Sequence, residues 1–140
     1  MNPKFYQKQI AEVGVDGLEI EPSSLAEAMY LLVKLRNYKK ILEKIKFNLH
    51  MDTRSIRKEY LDKIQSLKEE PVKRGIFKKN LTEKDKRSTK KTIYEERDKI
   101  LAPYEALERL LENYLDQIED SKTYLELFIQ KETGKQEIQW

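Results

Sequence analysis

The last third of the chain carries a seven-residue apolar repeat that runs almost without interruption. Positions 93, 100, 107, 114, 121 and 128 form one series, and positions 104, 111, 118 and 125 form the interleaved one. Apart from Ser121, every position in the two series is aliphatic or aromatic. This alternating spacing of three and four keeps one face of a helix turned toward a partner helix. The repeat therefore predicts a long helix packed lengthwise on another helix, and it indicates a shape rather than a reaction.

A second stretch, from Ser24 to Glu70, contains neither glycine nor proline and predicts the partner helix over 24–70. Ser24 and Glu27 have the spacing of a capping box, which marks a helix start. The same rhythm of apolar residues continues through this stretch and lengthens to an eleven-residue period between Ile56 and Leu67. Asp52 falls on the apolar face. Either it sets the register or the oligomeric state, or the helix breaks among the poor helix formers of 50–55 and exposes it.

Proline and glycine divide the rest of the domain, which we place at 23–134. Pro71 and Gly75 favour a connection over 71–82, followed by a helix over 83–133 that ends at Gly134. Pro103 lies inside that helix and predicts a kink, because proline removes one helical hydrogen bond. Residues 135–140 are expected to form a flexible tail.

The first residues, 1–22, are expected to form an irregular leader. The pair Asp16-Gly17 is favoured in two-residue turns and is compatible with a small hairpin over 13–20. An isolated hairpin is only marginally stable. A loop packed on the helices is the alternative.

Charge indicates how the two long helices pair. Residues 34–68 carry 11 basic and 4 acidic side chains, whereas residues 92–140 carry 6 basic and 12 acidic ones. Opposite charges on the flanks of two helices set their orientation and partner choice. A turn near residue 76 would place residue 46 opposite 106 and residue 57 opposite 95. The same complementarity is compatible with pairing between two chains.

These patterns predict an all-α fold, a long antiparallel helical hairpin resembling a coiled coil. Additional apolar residues beside the repeat, such as Leu32, Val33, Leu110 and Leu115, widen the apolar face. A wide face is typical of bundles of three or four helices. The leader or a second copy of the chain in a dimer would complete such a bundle. The expected packing or oligomer positions are Leu35, Leu42, Leu49, Asp52, Ile56, Ile100, Tyr104, Leu107, Leu111, Tyr114, Ile118, Leu125 and Phe128.

The most basic segment is 71–91, with 9 basic and 2 acidic residues around one phenylalanine. Clustered cations beside an aromatic ring can contact the phosphates and stack on the bases of DNA or RNA. Such charge runs are also common on solvated surfaces that bind nothing specific. The candidate nucleic-acid contacts are Lys73, Arg74, Phe77, Lys78, Lys79, Lys84, Lys86, Arg87, Lys90 and Lys91.

Motifs for catalysis are missing from the sequence. The chain has no cysteine and one histidine, His50, whose neighbour Asp52 diverges from it on a helix. Neither a Glu-x-x-His pair nor a phosphate-binding glycine pattern occurs. We therefore expect no enzyme activity, no catalytic residues, no cofactor and no metal site, although an acid–base pair assembled across the fold would leave no motif.

The expected function is a non-catalytic coiled-coil interaction module, an adaptor or scaffold that self-associates or binds another helical protein. The alternative is a nucleic-acid-binding accessory protein that uses the basic segment. An enzyme or metal-carboxylate bundle ranks third. No signal-peptide or membrane-span pattern is present, which predicts a cytoplasmic protein without membrane contact.

Overall fold

The computed structural model describes residues 1–69 and 82–138, with side chains up to residue 134 in the last helix. These residues form three α-helices and no strand: α1 (Pro3–Val13), α2 (Leu25–Glu69) and α3 (Glu83–Ile138), with a short 3-10 turn at Val15–Gly17. The all-α prediction is confirmed, with two long helices packed against each other. The predicted connection over 71–82 falls outside the described residues except for Thr82.

The chain divides into two compact units. The three-helix unit (Met1–Asn48 with Leu107–Trp140) contains α1, the first part of α2 and the last part of α3. The two-helix unit (Leu49–Ala106) contains the remaining parts of α2 and α3. Each unit has its own buried side chains.

The leader is helical, so the prediction of an irregular segment or small hairpin is wrong. The Asn2 side chain accepts a hydrogen bond from the Phe5 amide at 2.9 Å, and Pro3 occupies the first turn of α1, where a missing amide costs nothing. Gly14 ends the helix in the left-handed conformation at φ 77°. The predicted hairpin turn requires a left-handed conformation at Gly17, and Gly17 does not adopt it.

The new helix α1 covers part of the apolar face of the three-helix unit. Tyr6 and Ile10 are buried, at 1% and 3% exposure. The Tyr114 hydroxyl donates a hydrogen bond to the Asp16 carboxylate at 2.6 Å, tying the turn after α1 to α3. The leader therefore contributes a third helix to this unit, one of the two ways in which a wide apolar face can be covered.

Helix α2 begins as predicted and does not break at 50–55. The Ser24 hydroxyl accepts a hydrogen bond from the Glu27 amide at 3.1 Å, while the Glu27 carboxylate accepts one from the Ser23 amide at 3.2 Å. Farther along, Thr53 donates its hydroxyl to the His50 carbonyl at 2.8 Å. This local bond satisfies the buried Thr53 hydroxyl within the helix, and α2 is continuous through residues 50–55.

Helix α3 is continuous through Pro103, where a kink within the helix is predicted, and through Gly134, where the helix was predicted to end. Pro103 and Lys99 are exposed, so the Lys99 carbonyl that loses its helical donor lies on the solvent side. Gly134 does not end the helix, because only a left-handed glycine forms such a stop and Gly134 has no positive φ. The helix extends to Ile138, so the predicted tail from 135 is wrong over residues 135–138.

Candidate interaction surfaces

The structure places most of the predicted packing positions inside the two units. The fully or largely buried ones are Leu35, Leu42, Leu49, Tyr104, Leu107, Leu111, Ile118 and Leu125. Four more are half-buried: Asp52, Ile56, Tyr114 and Phe128. These side chains pack within one chain, so they do not by themselves form an interface for a partner.

Ile100 is the position that the repeat placed wrongly. It is 39% exposed, whereas its neighbour Leu101 is 3% exposed and takes the core position. The spacing explains the shift, since half-buried Ile93 and Arg97 lead to buried Leu101 and Tyr104 by steps of four, four and three. This eleven-residue step matches the one that the sequence indicates in the facing part of α2, so both helices leave the strict heptad together.

Asp52 lies at the edge of the packed face rather than at its centre. Thr53 occupies the central position with 0% exposure, and Asp52 is half-buried beside it. Burial raises the pKa of Tyr104, and the Asp52 charge raises it further. The sequence pattern missed Thr53 because a threonine carries no apolar signal of its own. Its hydroxyl bond to the helix backbone is what permits its burial.

Tyr60, a second tyrosine of the two-helix unit, is also buried near a carboxylate and also has a raised pKa. Tyr60 is 4% exposed, and burial raises its pKa. Its hydrogen bond to the Glu96 carboxylate raises that pKa further. Both core tyrosines of this unit therefore remain protonated to higher pH than a free tyrosine, each near a carboxylate of the same unit.

Ion pairs connect the basic flank of α2 to the acidic flank of α3, in a register that differs from the expected one. Lys46 lies 3.9 Å from Glu112, whereas the turn position predicted a partner near residue 106. Arg57 lies 3.4 Å from Glu105, whereas a partner near 95 was expected. The predicted pairing register is therefore wrong for Lys46 and Arg57. The acidic partners, including Glu119 at 2.7 Å from Lys39, recur every seven residues beside the buried positions of α3.

The outward face of α2 in the three-helix unit carries large apolar side chains in contact with solvent. Their exposures run from 48% for Ile41 to 64% for Tyr30. A helix turns by about 100° per residue, and this rotation places these apolar side chains on the side of α2 opposite its buried leucines. Lys40 and Lys44 interrupt this face and are also exposed. We name it the outer α2 face, and its residues are Met29, Tyr30, Val33, Lys40, Ile41, Lys44 and Phe47.

The outward side of α3 in the same unit combines acidic and apolar residues. Tyr124 and Leu127 are 52% and 53% exposed. Asp116 and Asp120 precede them on the same side of the helix, opposite buried Leu111, and both are exposed. We name these four residues the outer α3 face. The sequence pattern assigned none of them to an outward surface, because an exposed residue beside a heptad has no periodic signal of its own. Asp116 was expected to lie along the basic side of α2, whereas it lies opposite the core.

The basic segment is described only in part. Lys73, Arg74, Phe77, Lys78 and Lys79 lie outside the described residues. The remaining candidates lie in the first turns of α3, and all are exposed or half-buried: Lys84, Lys86, Arg87, Lys90 and Lys91.

Three of these cations meet a fourth from α2 around one cleft. Lys68 joins Lys86, Arg87 and Lys90 in lining a cleft of about 250 Å³, together with Leu67 and Glu83. One turn beyond, the Arg97 guanidinium lies 4.8 Å from the centre of the Tyr94 ring. Lys68 was not among the predicted contacts, because its proximity depends on how the two helices pack. We name the four cations the cationic cleft.

Within residues 1–69 and 82–134, whose side chains the structure describes, no three His, Asp or Glu side chains cluster closely enough to hold a metal ion. No helix in the same ranges combines the length and apolar character that crossing a bilayer requires.

Comparison with protein families, curated proteins and solved structures finds no match to this chain.

Proposed function

We propose that this chain is a non-catalytic helical interaction module that self-associates through the three-helix unit. The observation that carries the proposal is the outer α2 face. Its five apolar side chains are 48–64% exposed although the helix already has a buried face on its other side. Clusters of large exposed apolar residues on one element are typical of protein interaction sites, whereas isolated ones are not.

Interaction through this face requires no chemistry beyond burial. Removing apolar surface from water contributes about 25 cal/mol per Å². Aromatic residues and methionine are enriched in interfaces, and Tyr30, Phe47 and Met29 supply both kinds. The intervening lysines keep the isolated face solvated and favour a partner with acidic residues at matching positions.

The test is the molecular mass of the full chain as a function of concentration, measured by sedimentation equilibrium. We expect the weight-average mass to rise above 16.8 kDa with concentration. Val33→Glu should suppress the rise. The matched control is Leu61→Glu, which alters a 62% exposed residue of the two-helix unit and should leave the rise unchanged. A chain that stays monomeric at all concentrations tested, or two variants that behave alike, would overturn the proposal.

The second candidate function is binding of single-stranded nucleic acid, favoured by the cationic cleft. Cations from two helices converge there with one carboxylate, Glu83, among them. Phosphates would offset their mutual repulsion, and each phosphate contact releases counterions and makes affinity salt-dependent. Arg97 and Lys90 both lie over the Tyr94 ring, and a guanidinium plane held there can stack on a base.

Fluorescence anisotropy with labelled single-stranded RNA and DNA, from low to physiological salt, tests this candidate. Replacing Lys86, Arg87 and Lys90 with glutamine should weaken binding and reduce the slope of log affinity against log salt by about 2. The matched control removes three exposed cations from the three-helix unit, outside its outer faces, by replacing Lys4, Lys8 and Arg36 with glutamine. Equal losses in the two variants would mean nonspecific attraction, and absence of binding at low salt would remove the candidate.

A further inference from the structure

We propose that the partner of the outer α2 face is the outer α3 face of a second copy of the chain. The two helices would pack antiparallel in a register that places Val33 beside Leu127 and Lys40 beside Asp120. This inference rests on the proposed self-association and specifies its geometry.

The first argument is the matching order of residue types. Along α2, Val33 is followed seven residues later by Lys40 and four residues after that by Lys44. Read backwards along α3, Leu127 is followed at the same two intervals by Asp120 and Asp116. At a rise of 1.5 Å per residue, both sets are separated by about 10 Å and then 6 Å. One antiparallel register therefore brings the apolar pair and both charge pairs together.

The second argument is that the faces used are separate from those that hold the chain together. Within the chain, Lys39 and Lys46 pair with Glu119 and Glu112 on the flanks of the core. Lys40 and Lys44 lie on the opposite side of α2 from its core, as do Asp116 and Asp120 on α3. The outer faces therefore repeat the basic-to-acidic complementarity of the intramolecular contact with a different set of side chains.

Like charges disfavour symmetrical contacts that are centred on the charged residues. Packing two outer α2 faces in a register centred near residue 42 would bring Lys40 and Lys44 of both copies close to one another. Packing two outer α3 faces would do the same for Asp116 and Asp120. Juxtaposed like charges disfavour both arrangements, so that specificity comes from what is repelled as well as from what is attracted.

A contact between two different faces is heterologous. Each added copy uses one face and still presents the other, so association continues into a ring or an open chain unless the geometry closes it. We therefore expect the mass to rise past that of a dimer with increasing concentration. Association should also weaken as salt is added, because exposed charge pairs are screened.

Paired charge reversals test the register. One variant carries Lys40→Glu and Lys44→Glu, and the other carries Asp116→Lys and Asp120→Lys. Each alone should lose at least about tenfold in association constant, equivalent to about 1.4 kcal/mol. Mixing the two should restore association, because each now supplies the charges that the other requires. The control, Lys4→Glu with Lys8→Glu on exposed positions of α1, makes the same charge change at the same spacing and should associate like the unmodified chain.

The outcomes separate the two proposals. If the unmodified chain does not associate, both fail. If it associates but the reversals act like the control, or the mixture does not recover, self-association stands and this register is wrong. Circular dichroism and thermal unfolding of each variant identify a folding defect. Should one variant be unfolded, neutral substitutions at the same two positions replace it, either Lys40→Gln with Lys44→Gln or Asp116→Asn with Asp120→Asn, with a smaller loss expected.

Discussion

The three-helix unit and the two-helix unit build their cores from different side chains. In the first, fully buried leucines and isoleucines such as Leu42, Leu111 and Ile118 dominate, and α1 adds Tyr6 and Ile10. In the second, two helices alone bury Thr53, Tyr60 and Tyr104 beside their aliphatic residues. A third helix gives the first unit an interior that can exclude water. In the two-helix unit the buried hydroxyl groups keep hydrogen-bond partners, since Thr53 donates to the His50 carbonyl and Tyr60 bonds to the Glu96 carboxylate.

The largest expected effect separates the two cores directly. Leu111→Ala in the three-helix unit should lower the free energy of unfolding by about 2–5 kcal/mol, since it leaves a cavity among fixed neighbours. Leu101→Ala in the two-helix unit should fall at the lower end of that range, because fewer elements surround the space. Urea denaturation of both variants gives the comparison.

Leu61→Ala is the control for both substitutions. Leu61 is 62% exposed, so its truncation should change stability by no more than about 0.5 kcal/mol. If Leu111→Ala costs no more than this control, the heptad face is not a packed core. If Leu101→Ala costs more than Leu111→Ala, the two units do not differ in the way described.

Next in size is the backbone effect at the end of α1, the helix that distinguishes the three-helix unit. Gly14 is left-handed at φ 77°, and no atom lies within 4 Å of where a Cβ would be placed. Gly14→Ala should therefore destabilise the unit by about 1 kcal/mol through backbone strain alone. Gly134→Ala, inside α3 with equally open space, should act in the opposite direction because alanine favours helix.

Hydrogen exchange of the α1 amides shows where the Gly14 effect is felt. Faster exchange in α1, with unchanged exchange between 49 and 69, is the expected pattern. Two glycine variants with shifts of the same sign would contradict the assignment of Gly14 as the left-handed helix end.

The third prediction concerns the polar core of the two-helix unit. Asp52→Leu should raise the free energy of unfolding by about 1 kcal/mol, because a half-buried carboxylate on a packed face costs stability. It should also lower the pKa of Tyr104 toward its ordinary value, since the Asp52 charge is one of the two causes of its elevation. If the midpoint of urea denaturation and the pKa of Tyr104 are both unchanged, Asp52 does not lie on the packed face.

The two buried tyrosines of the two-helix unit, Tyr60 and Tyr104, make its stability sensitive to alkali. Their folded-state pKa values are raised above the unfolded value near 10, so the associated stability is complete below about pH 10 and is lost as pH rises through the folded values. Tyrosinate absorbance during alkaline titration should show Tyr60 and Tyr104 ionising late. Phenylalanine at both positions should remove the late phase. Tyr114→Phe provides the comparison from the three-helix unit, where the hydrogen bond to Asp16 is the main cause of the raised pKa.

The sequence was sufficient for the parts of the fold that depend on periodicity. The two long helices, the start of α2 and most buried positions follow from spacing and capping residues, as Leu35, Leu111 and Ile118 illustrate. The leader was predicted wrongly because Asp16-Gly17 is also a favoured turn pair, whereas Asn2-Pro3 and Gly14 are the residues that begin and end α1. The register of the ion pairs required the length of the turn, which helical periodicity does not contain.

The candidate surfaces were less accessible to sequence reasoning than the core. A buried position repeats along the helix and can be recognised, whereas an exposed Phe47 or Leu127 is recognised only once the buried face has been located. Lys68 joins the cationic cleft through the packing of α2 on α3, which no linear pattern records. An exposed interaction site can therefore be predicted only after the buried positions are known. An error of one residue in the buried positions places the wrong side chains on the surface.

The smallest expected effect on stability is that of removing an exposed ion pair, and one such pair is available in each unit. Lys39 and Glu119 are 2.7 Å apart in the three-helix unit, and Arg57 and Glu105 are 3.4 Å apart in the two-helix unit. Exposed pairs contribute little to stability and are screened by salt. Double-mutant cycles with alanine should therefore give small coupling energies that disappear at 1 M salt.

The coupling between Lys39 and Glu119 should also depend on pH in the acid range. The hydrogen bond from Lys39 lowers the pKa of Glu119, so the coupling is present above the ordinary glutamate value near 4.3 and is lost as pH falls through the lowered one. Lys122 lies 3.5 Å from the same carboxylate, so Lys39→Ala leaves Glu119 with one cation and only part of its pKa shift should vanish. A coupling as large as the Leu111→Ala loss, or one insensitive to both salt and acid, would mean that the flank charges hold the three-helix unit together. Its aliphatic core would then no longer distinguish it from the two-helix unit.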